Sequence, residues 1–269
     1  MNKKHKVITK LFEICKKKND FDFHNDLVKE ISKKYKFGNP FDITKVDNSD
    51  KLPDILKQND YAIIHTGDGN HRFIKGINKV YHSFEPIQNK INWEYKKSLL
   101  NLFNSSESNI LSVANNQRIL HEFLFGKDKE LDNINISKRP KTYFPHRTKT
   151  SFSYNYGDGT TINLKNIQIE IDLTIENKGV VGIFEAKNGK PDNFAVYQIY
   201  HPYLYYSMAK STHNISIKDI ICVYLVRTKE KDNDIINLWA YNFSNQNDIT
   251  SINFLKSTAY KLITKDENV

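Results

Sequence analysis

The most constraining stretch of this chain runs from residue 161 to residue 187. Ile167, Ile169, Ile171, Leu173 and Ile175 occupy one parity, and Gln168, Glu170, Asp172, Thr174 and Glu176 the other. Side chains on an extended strand alternate between faces, so the pattern predicts a strand over 161–176 with one apolar and one polar face. Asn177-Lys178-Gly179 then supplies turn residues for a hairpin. The following run, Val180 to Lys187, is nearly all apolar until its end, as befits a central strand covered on both sides. It finishes with Glu185 and Lys187 on one face. Antiparallel pairing across the turn brings Asp172 toward that pair, provided the strands splay or bulge.

The rest of the chain divides near residue 105 into a helical module with a hairpin (1–104) and a mixed α/β domain (105–269). Helical spacing of Val7, Ile8, Leu11, Phe12 and Cys15 predicts a helix over 6–16. Asn25 is positioned to cap a second helix, with Leu27, Val28 and Ile31 inward and Gly38-Asn39-Pro40 as its stop. Strands at 61–65 and 71–75 flank the tight turn Gly67-Asp68-Gly69-Asn70. Helices followed by a hairpin suggest a winged-helix-like module. His65, Asp68 and His71 surround that turn, but turn chemistry explains the aspartate and no further ligand lies nearby in sequence. Beyond 105, a helix is expected over 108–125, a polar irregular segment over 128–150, and a strand at 152–156. A helix follows at 193–210, kinked or restarted at Pro202, then strands at 219–227 and 235–242 and a helix at 252–264. The fold class is α/β with a mixed sheet.

Lys and Arg outnumber Asp and Glu by 40 to 31, a formal charge of +9. Such a surface attracts polyanions, nucleic acid foremost, although a Lys-rich protein without an anionic ligand carries the same balance. Cys15 and Cys222 are far apart and form no CxxC pair, which argues against a zinc site or a disulfide framework. No apolar run reaches bilayer length and no secretory apolar core follows the amino terminus, so a cytoplasmic protein without membrane association is expected.

Two carboxylates with a nearby ammonium suit phosphodiester hydrolysis. Asp172 and Glu185 can hold a hard cation such as Mg²⁺, with the Ala186 carbonyl between Glu185 and Lys187 as a further oxygen ligand. The cation stabilises charge gathering on the phosphate and acidifies a water. Lys187 can orient that water or help neutralise the phosphate. The bland alternative is a solvent-facing edge strand and an ordinary Glu185–Lys187 cross-strand pair. The context of hairpin, apolar strand, Glu-Ala-Lys at its end and then a helix favours the chemical reading.

Residues 108–227 resemble the PD-(D/E)xK nuclease core, with its helix, three-stranded meander, helix and further strand. The matching residues are Asp172 and Glu185-Ala186-Lys187, and Gln198 resembles the glutamine often found in the following helix. Within the superfamily the likeness is greatest to type II restriction endonucleases. The resemblance implies a restriction-endonuclease-like core, Mg²⁺ as cofactor and double-stranded DNA as substrate. It further implies sequence-specific cleavage, with a cognate methyltransferase as functional partner and a homodimer as one route to double-strand cutting. Ile171 stands where the motif's proline would precede the aspartate.

Other assignments stay open at this level. Glu170 either serves a second cation or is a solvated strand residue, and Gln198 either contacts the site or caps a polar patch. Glu122 either supplies the helix carboxylate of many such nucleases or pairs with Arg118. Lys33 and Lys34 of the amino-terminal module, and Lys138, Arg139, Lys141, Arg147 and Lys149 ahead of the meander, are candidate DNA contacts. Each group reads equally as ordinary surface lysine and loop. The rival functions are a DNA-binding regulator with an inactive nuclease-like domain and a structure-directed or repair nuclease.

Overall fold

The computed structural model describes residues 2–95, 106–126, 139–189, 191–230 and 233–264. The amino-terminal helix α1 (Lys3–Lys18) forms as its periodicity predicts: Asn2 caps it by accepting the His5 N–H at 2.8 Å, and Val7, Ile8, Leu11 and Phe12 are fully buried. Lys16, Lys17 and Lys18 complement the negative end of its dipole. A short strand β1 (Asp22–His24) leads to α2 (Asn25–Lys34). His24 caps α2 in place of the expected Asn25, because the Asn25 side chain is engaged with His71. A further helix α3 (Asp54–Asn59) precedes the hairpin of β2 (Tyr61–Gly67) and β3 (Asn70–Lys75). Next come α4 (Ile77–Val80), β4 (Tyr81–Ser83) and β5 (Asn89–Tyr95).

The single helix predicted over 108–125 is two, α5 (Glu107–Asn116) and α6 (Ile119–Phe125). They are separated where Arg118 adopts a left-handed φ of 61°. Part of the segment expected to be irregular forms β6 (Lys141–Tyr143) and the start of β7 (His146–Asn155), because both pair with the meander. The strand predicted over 161–176 is also two, β8 (Thr161–Ile171) and β9 (Leu173–Asn177), with Asp172 in the bend between them. β10 (Val180–Asn188) returns through a two-residue turn in which Lys178 and Gly179 both have positive φ, 51° and 88°, the geometry of tight hairpins.

A short β11 (Asn193–Ala195) pairs with β4, so α7 (Tyr197–Thr212) starts later than the predicted helix. β12 (Asp219–Glu230) and β13 (Asn233–Phe243) follow. The final segment, predicted as a helix, is the strand β14 (Ile252–Thr264). Its apolar spacing fits either period, and pairing with β13 on one side and β5 on the other satisfies its backbone as a strand.

The fold is mixed α/β, with a five-stranded sheet ordered β1-β3-β2-β8-β7 and a seven-stranded sheet ordered β5-β14-β13-β12-β10-β9-β6. β5, on the amino-terminal side of residue 104, is thus an edge of the larger sheet. β10 runs parallel to β12, joined by the α7 crossover, and antiparallel to β9. It is central and covered on both faces as its composition predicts. Val181 and Ile183 join the core with Ile199 and Tyr200 of α7, whereas Phe184 and Ala186 join the core with Ile110 and Leu120 of α5 and α6.

The alternating isoleucines are therefore split. Ile167, Ile169 and Ile171 pack in the first core and Leu173 and Ile175 in the second, because the chain passes from one sheet to the other at Asp172. No described helix is long and apolar enough to cross a membrane, and Cys15 and Cys222 are free and buried.

The tip of the amino-terminal hairpin meets β8 where Gly67 pairs in parallel with Lys165 and Asn166 Nδ2 donates to Asp68 Oδ1 at 3.1 Å. Gly67 has φ +91°, and a Cβ there would lie 1.6 Å from the Lys165 carbonyl oxygen. Gly67→Ala is expected to lower stability by about 2–3 kcal/mol through strain and clash. Gly159→Ala, at φ +81° with nothing within 4 Å, is the control and should cost about 1 kcal/mol. Urea denaturation of both variants checks the difference.

Candidate active site

Asp172 belongs to neither sheet. The β9–β10 ladder ends at Leu173 opposite Phe184, and the β7–β8 ladder ends at His146 opposite Ile171. β10 continues past this point with its β9-side edge open, and Asp172 closes the gap: its Oδ2 accepts the Ala186 N–H at 3.0 Å. A strand residue's N–H and C=O point to the same edge, so the Ala186 carbonyl faces that gap too. One hydrogen bond thus brings the Asp172 carboxylate against Glu185-Ala186-Lys187.

Glu185 Oε1 accepts from Lys187 Nζ at 2.7 Å and from Gln198 Nε2 at 2.9 Å. Gln198, one residue into α7, is itself held by the Tyr224 hydroxyl, which donates to its Oε1 at 3.4 Å. Lys187 Nζ also lies 3.7 Å from Glu107 on the first turn of α5. Only 12% of the Glu185 side chain and 23% of Lys187 is exposed, so both charges are largely desolvated.

Burial pushes the Glu185 carboxyl up to about 8, and Asp172 and Glu107 push the same way against the pull of Lys187. For Lys187, burial favours the neutral amine, but the carboxylates of Glu185, Glu107 and Asp172 outweigh it and hold the ammonium well above its ordinary value. A second cation beside these carboxylates would relieve the repulsion.

The cluster sits in a cleft of about 640 Å³. One wall is the strand bend with α7, and the other is the amino-terminal hairpin with the start of α2. Among the described residues, no three His, Cys, Asp or Glu side chains are grouped as a closed metal cage. Two carboxylates and a carbonyl, with waters and a phosphate completing the octahedron, are the usual donor set of Mg²⁺ and fit what Asp172, Glu185 and Ala186 offer.

Of the residues singled out from sequence, Asp172, Glu185, Lys187 and Gln198 come together. Glu170 lines the cleft but is paired with Arg147 at 3.0 Å and accepts from Gln168 at 2.8 Å, which favours its reading as a strand-surface residue. That pairing also engages Arg147. Lys149 lines the cleft, Lys141 lies 3.6 Å from Glu176, and Arg139 is exposed ahead of β6. Lys138 lies outside the described residues. Lys33 and Lys34 are on the exposed face of α2, Lys34 in an ion pair with Glu30 at 2.6 Å, and neither lines the cleft. Glu122 accepts from the Tyr260 hydroxyl and is not part of the cleft wall.

The chain belongs to the family described as Domain of unknown function (DUF6997), whose model matches residues 76–261. The model described as Domain of unknown function (DUF6996) matches residues 5–73. No curated protein sequence and no solved structure matches the chain. Glu107, Asp172, Glu185, Lys187 and Gln198 all fall within the DUF6997 match, and the hairpin wall of the cleft falls within the DUF6996 match.

Sequence reasoning missed three features: Glu107, the Tyr224 support of Gln198, and the amino-terminal wall itself. Glu107 follows Ser106, whose side chain caps α5 by accepting the Asn109 N–H at 3.2 Å. That serine was the available signal, and a helix started one residue too late hid the glutamate. Tyr224 has no signal in sequence, because its approach depends on the β10–β12 pairing.

The titrations give a pH profile for the metal-free protein. Burial holds the imidazoles of His71 and His201 down, each to about 3. Each of these, like His65, which burial holds down to about 4, takes up a proton below about 6.5 in the unfolded chain before it does in the folded one, so these groups lose stability as pH falls below about 6.5. Glu185 acts oppositely: its raised carboxyl binds a proton in the folded state alone, so its contribution falls as pH rises toward 8. Stability should therefore peak near neutrality, with limbs of about 1.4 kcal/mol per net proton per pH unit. In Glu185→Gln the alkaline limb should flatten, as urea titrations from acid to pH 8.5 would reveal. A second expectation concerns the cation. Mg²⁺ at about tenfold its Kd should stabilise the parent by about 1.4 kcal/mol in thermal unfolding, and Asp172→Ala should lose the shift.

Proposed function

We propose that this protein is a Mg²⁺-dependent, sequence-specific endonuclease of double-stranded DNA, of the type II restriction kind. The observation that carries the reading is the Asp172–Ala186 hydrogen bond, which sets one carboxylate beside a buried Glu185–Lys187 pair at a bend open to a cleft. The topology supports it. The helices α5 and α6, the strand β8 that bends at Asp172 into the β9–β10 hairpin, the α7 crossover and the parallel strand β12 run in the order expected of the PD-(D/E)xK core, although β8 pairs in the other sheet. Helices α1 to α3 with the β1-β3-β2 strands support a winged-helix-like front, whose hairpin tip docks on β8.

In this reading Asp172, Glu185 and the Ala186 carbonyl hold the cation. Bound there, Mg²⁺ supplies charge stabilisation at the phosphate and a more acidic water. Gln198 fixes the Glu185 carboxylate so that its other oxygen is free to face the metal. Lys187, held between Glu185 and Glu107, presents a fixed ammonium to the attacking water or the phosphate. The basic balance of the chain and Lys45 and Lys149 in the cleft wall favour a polyanion there. A cognate methyltransferase and pairing of two copies for double-strand cutting belong to the same proposal.

Purified protein incubated with unmethylated plasmid and phage DNA should give discrete fragments with Mg²⁺ and none with EDTA. Lys187→Ala should slow cleavage by at least about a hundredfold while retaining DNA binding. Tight, salt-sensitive binding without cleavage of any duplex would instead identify a regulator. Cutting confined to branched DNA would identify a structure-directed nuclease.

A further inference from the structure

The cleft is longer than phosphodiester chemistry requires. Its amino-terminal end is walled by Asn25, Phe41, His65, His71, Tyr154 and Tyr156, none of which touches the carboxylate cluster through any described hydrogen bond. Two of these residues carry unmatched polar atoms. His71 is 3% exposed, and its Nε2 meets the Asn25 amide oxygen at 2.8 Å while Nδ1 has no partner. An amide oxygen only accepts, so Nε2 carries the proton and Nδ1 is left as a buried acceptor. Tyr156 is 1% exposed, and its hydroxyl has no partner of good hydrogen-bond geometry, its one polar neighbour being a looser contact with the Tyr154 hydroxyl. The Tyr154 hydroxyl is committed to His201 Nε2 at 2.9 Å.

A buried polar atom without a partner is costly, so such atoms are rare and call for an explanation. Two on one cavity wall imply a ligand that supplies the missing groups. It must bring a donor to His71 Nδ1 and a polar group of either kind to Tyr156. A planar group with apolar faces suits the aromatic part of this wall, where the Phe41 ring is 54% exposed with Lys29 near one side of it, and polar edges suit Thr44, Lys45 and Asp47 beside it. A phosphodiester or an ionised carboxylate fails the first condition, since it offers a neutral ring acceptor no proton.

We propose that the amino-terminal end of the cleft is a pocket for a single nucleobase, whose polar edge meets His71 and Tyr156 and whose face packs on Phe41. On the nuclease reading above, the base comes from the DNA itself, rotated out of the stack so that a site in the duplex is read by its edge while its backbone lies on Asp172, Glu185 and Lys187. A free deoxynucleoside has the same recognition chemistry.

The test uses Lys187→Ala full-length protein, which leaves DNA uncut, with duplexes carrying 2-aminopurine at successive positions of a cleaved site. Binding should raise the fluorescence of one position several-fold as it leaves the stack. Tyr156→Phe should weaken binding about tenfold, the worth of one hydrogen bond to a buried group, yet leave thermal stability unchanged or higher because the hydroxyl is unmatched in the free protein. Phe41→Ala, at an exposed position where folding is not at risk, should also lose the fluorescence rise. In a parallel arm, deoxyadenosine and deoxycytidine are titrated calorimetrically. Saturable binding lost in Tyr156→Phe, with duplex probes silent, assigns the pocket to a free nucleoside. Silence in both arms, with both variants behaving as the parent, overturns the pocket. If the parent protein still cuts DNA in that case, the nuclease reading stands without it. Absence of both DNA binding and cleavage removes the nuclease reading, and the nucleoside arm alone then decides the pocket.

Discussion

The Asp172–Ala186 hydrogen bond is the joint on which the site depends. At this place two sheets share one chain, and a β-sheet cannot change partners without leaving backbone groups exposed at the crossing. The open edge of β10 offers an N–H with no strand to receive it, and Asp172, released from both ladders, supplies the acceptor. The structural need to satisfy that donor and the chemical need for a carboxylate beside Glu185 are met by the same side chain. An apolar residue at 172 would leave the Ala186 N–H unmatched as well as removing the charge, whereas asparagine would keep an acceptor and remove only the charge.

The site is a concentration of unfavourable terms that the surrounding packing tolerates. Glu185 is a carboxyl that burial pushes well above its ordinary range, facing Asp172 and Glu107 with Lys187 and the Gln198 amide to compensate. Replacing such a cluster with apolar residues would be expected to cost little or even stabilise the fold. At the other end of the cleft, His71 and Tyr156 carry unmatched polar atoms. Both ends are flanked by dense aromatic packing, such as Phe12 with Phe73 and Phe194 with Tyr224, whose ring contacts supply the stability that the cleft gives up. Features that weaken a fold and line one cavity are better explained by ligands than by architecture.

Much of this was legible in the sequence wherever a local pattern has a single physical solution. The period of α1, the tight turns at Asp68-Gly69 and Lys178-Gly179, and the doubly covered β10 each follow from neighbours in the chain. Asp172, Glu185 and Lys187 were found because a strand's alternation and a short motif point to them, and Gln198 only through the family resemblance. Misreadings arose where non-local pairing decides. β14 has spacing compatible with a helix and became a strand because β13 and β5 lie on either side of it. The split of Ile171 from Leu173 into different cores was invisible because alternation continues unbroken through the bend. The Asn25 side chain, a good helix cap locally, went instead to a histidine brought up by the hairpin.

The cleft also explains why the two matched segments belong in one chain. The carboxylates and the tyrosines Tyr154 and Tyr156 sit on the larger segment and Phe41, His65 and His71 on the smaller, with the Gly67–Lys165 pairing among the contacts that hold the two together. Electrostatics divides the labour. The carboxylate end carries fixed charge and suits a cation and a phosphate. At the hairpin end burial keeps the histidines neutral, beside Lys45, Asp47 and Asp68 of the same cleft. A chain that lost the amino-terminal hairpin would retain the carboxylates and lose the opposite wall of the cleft.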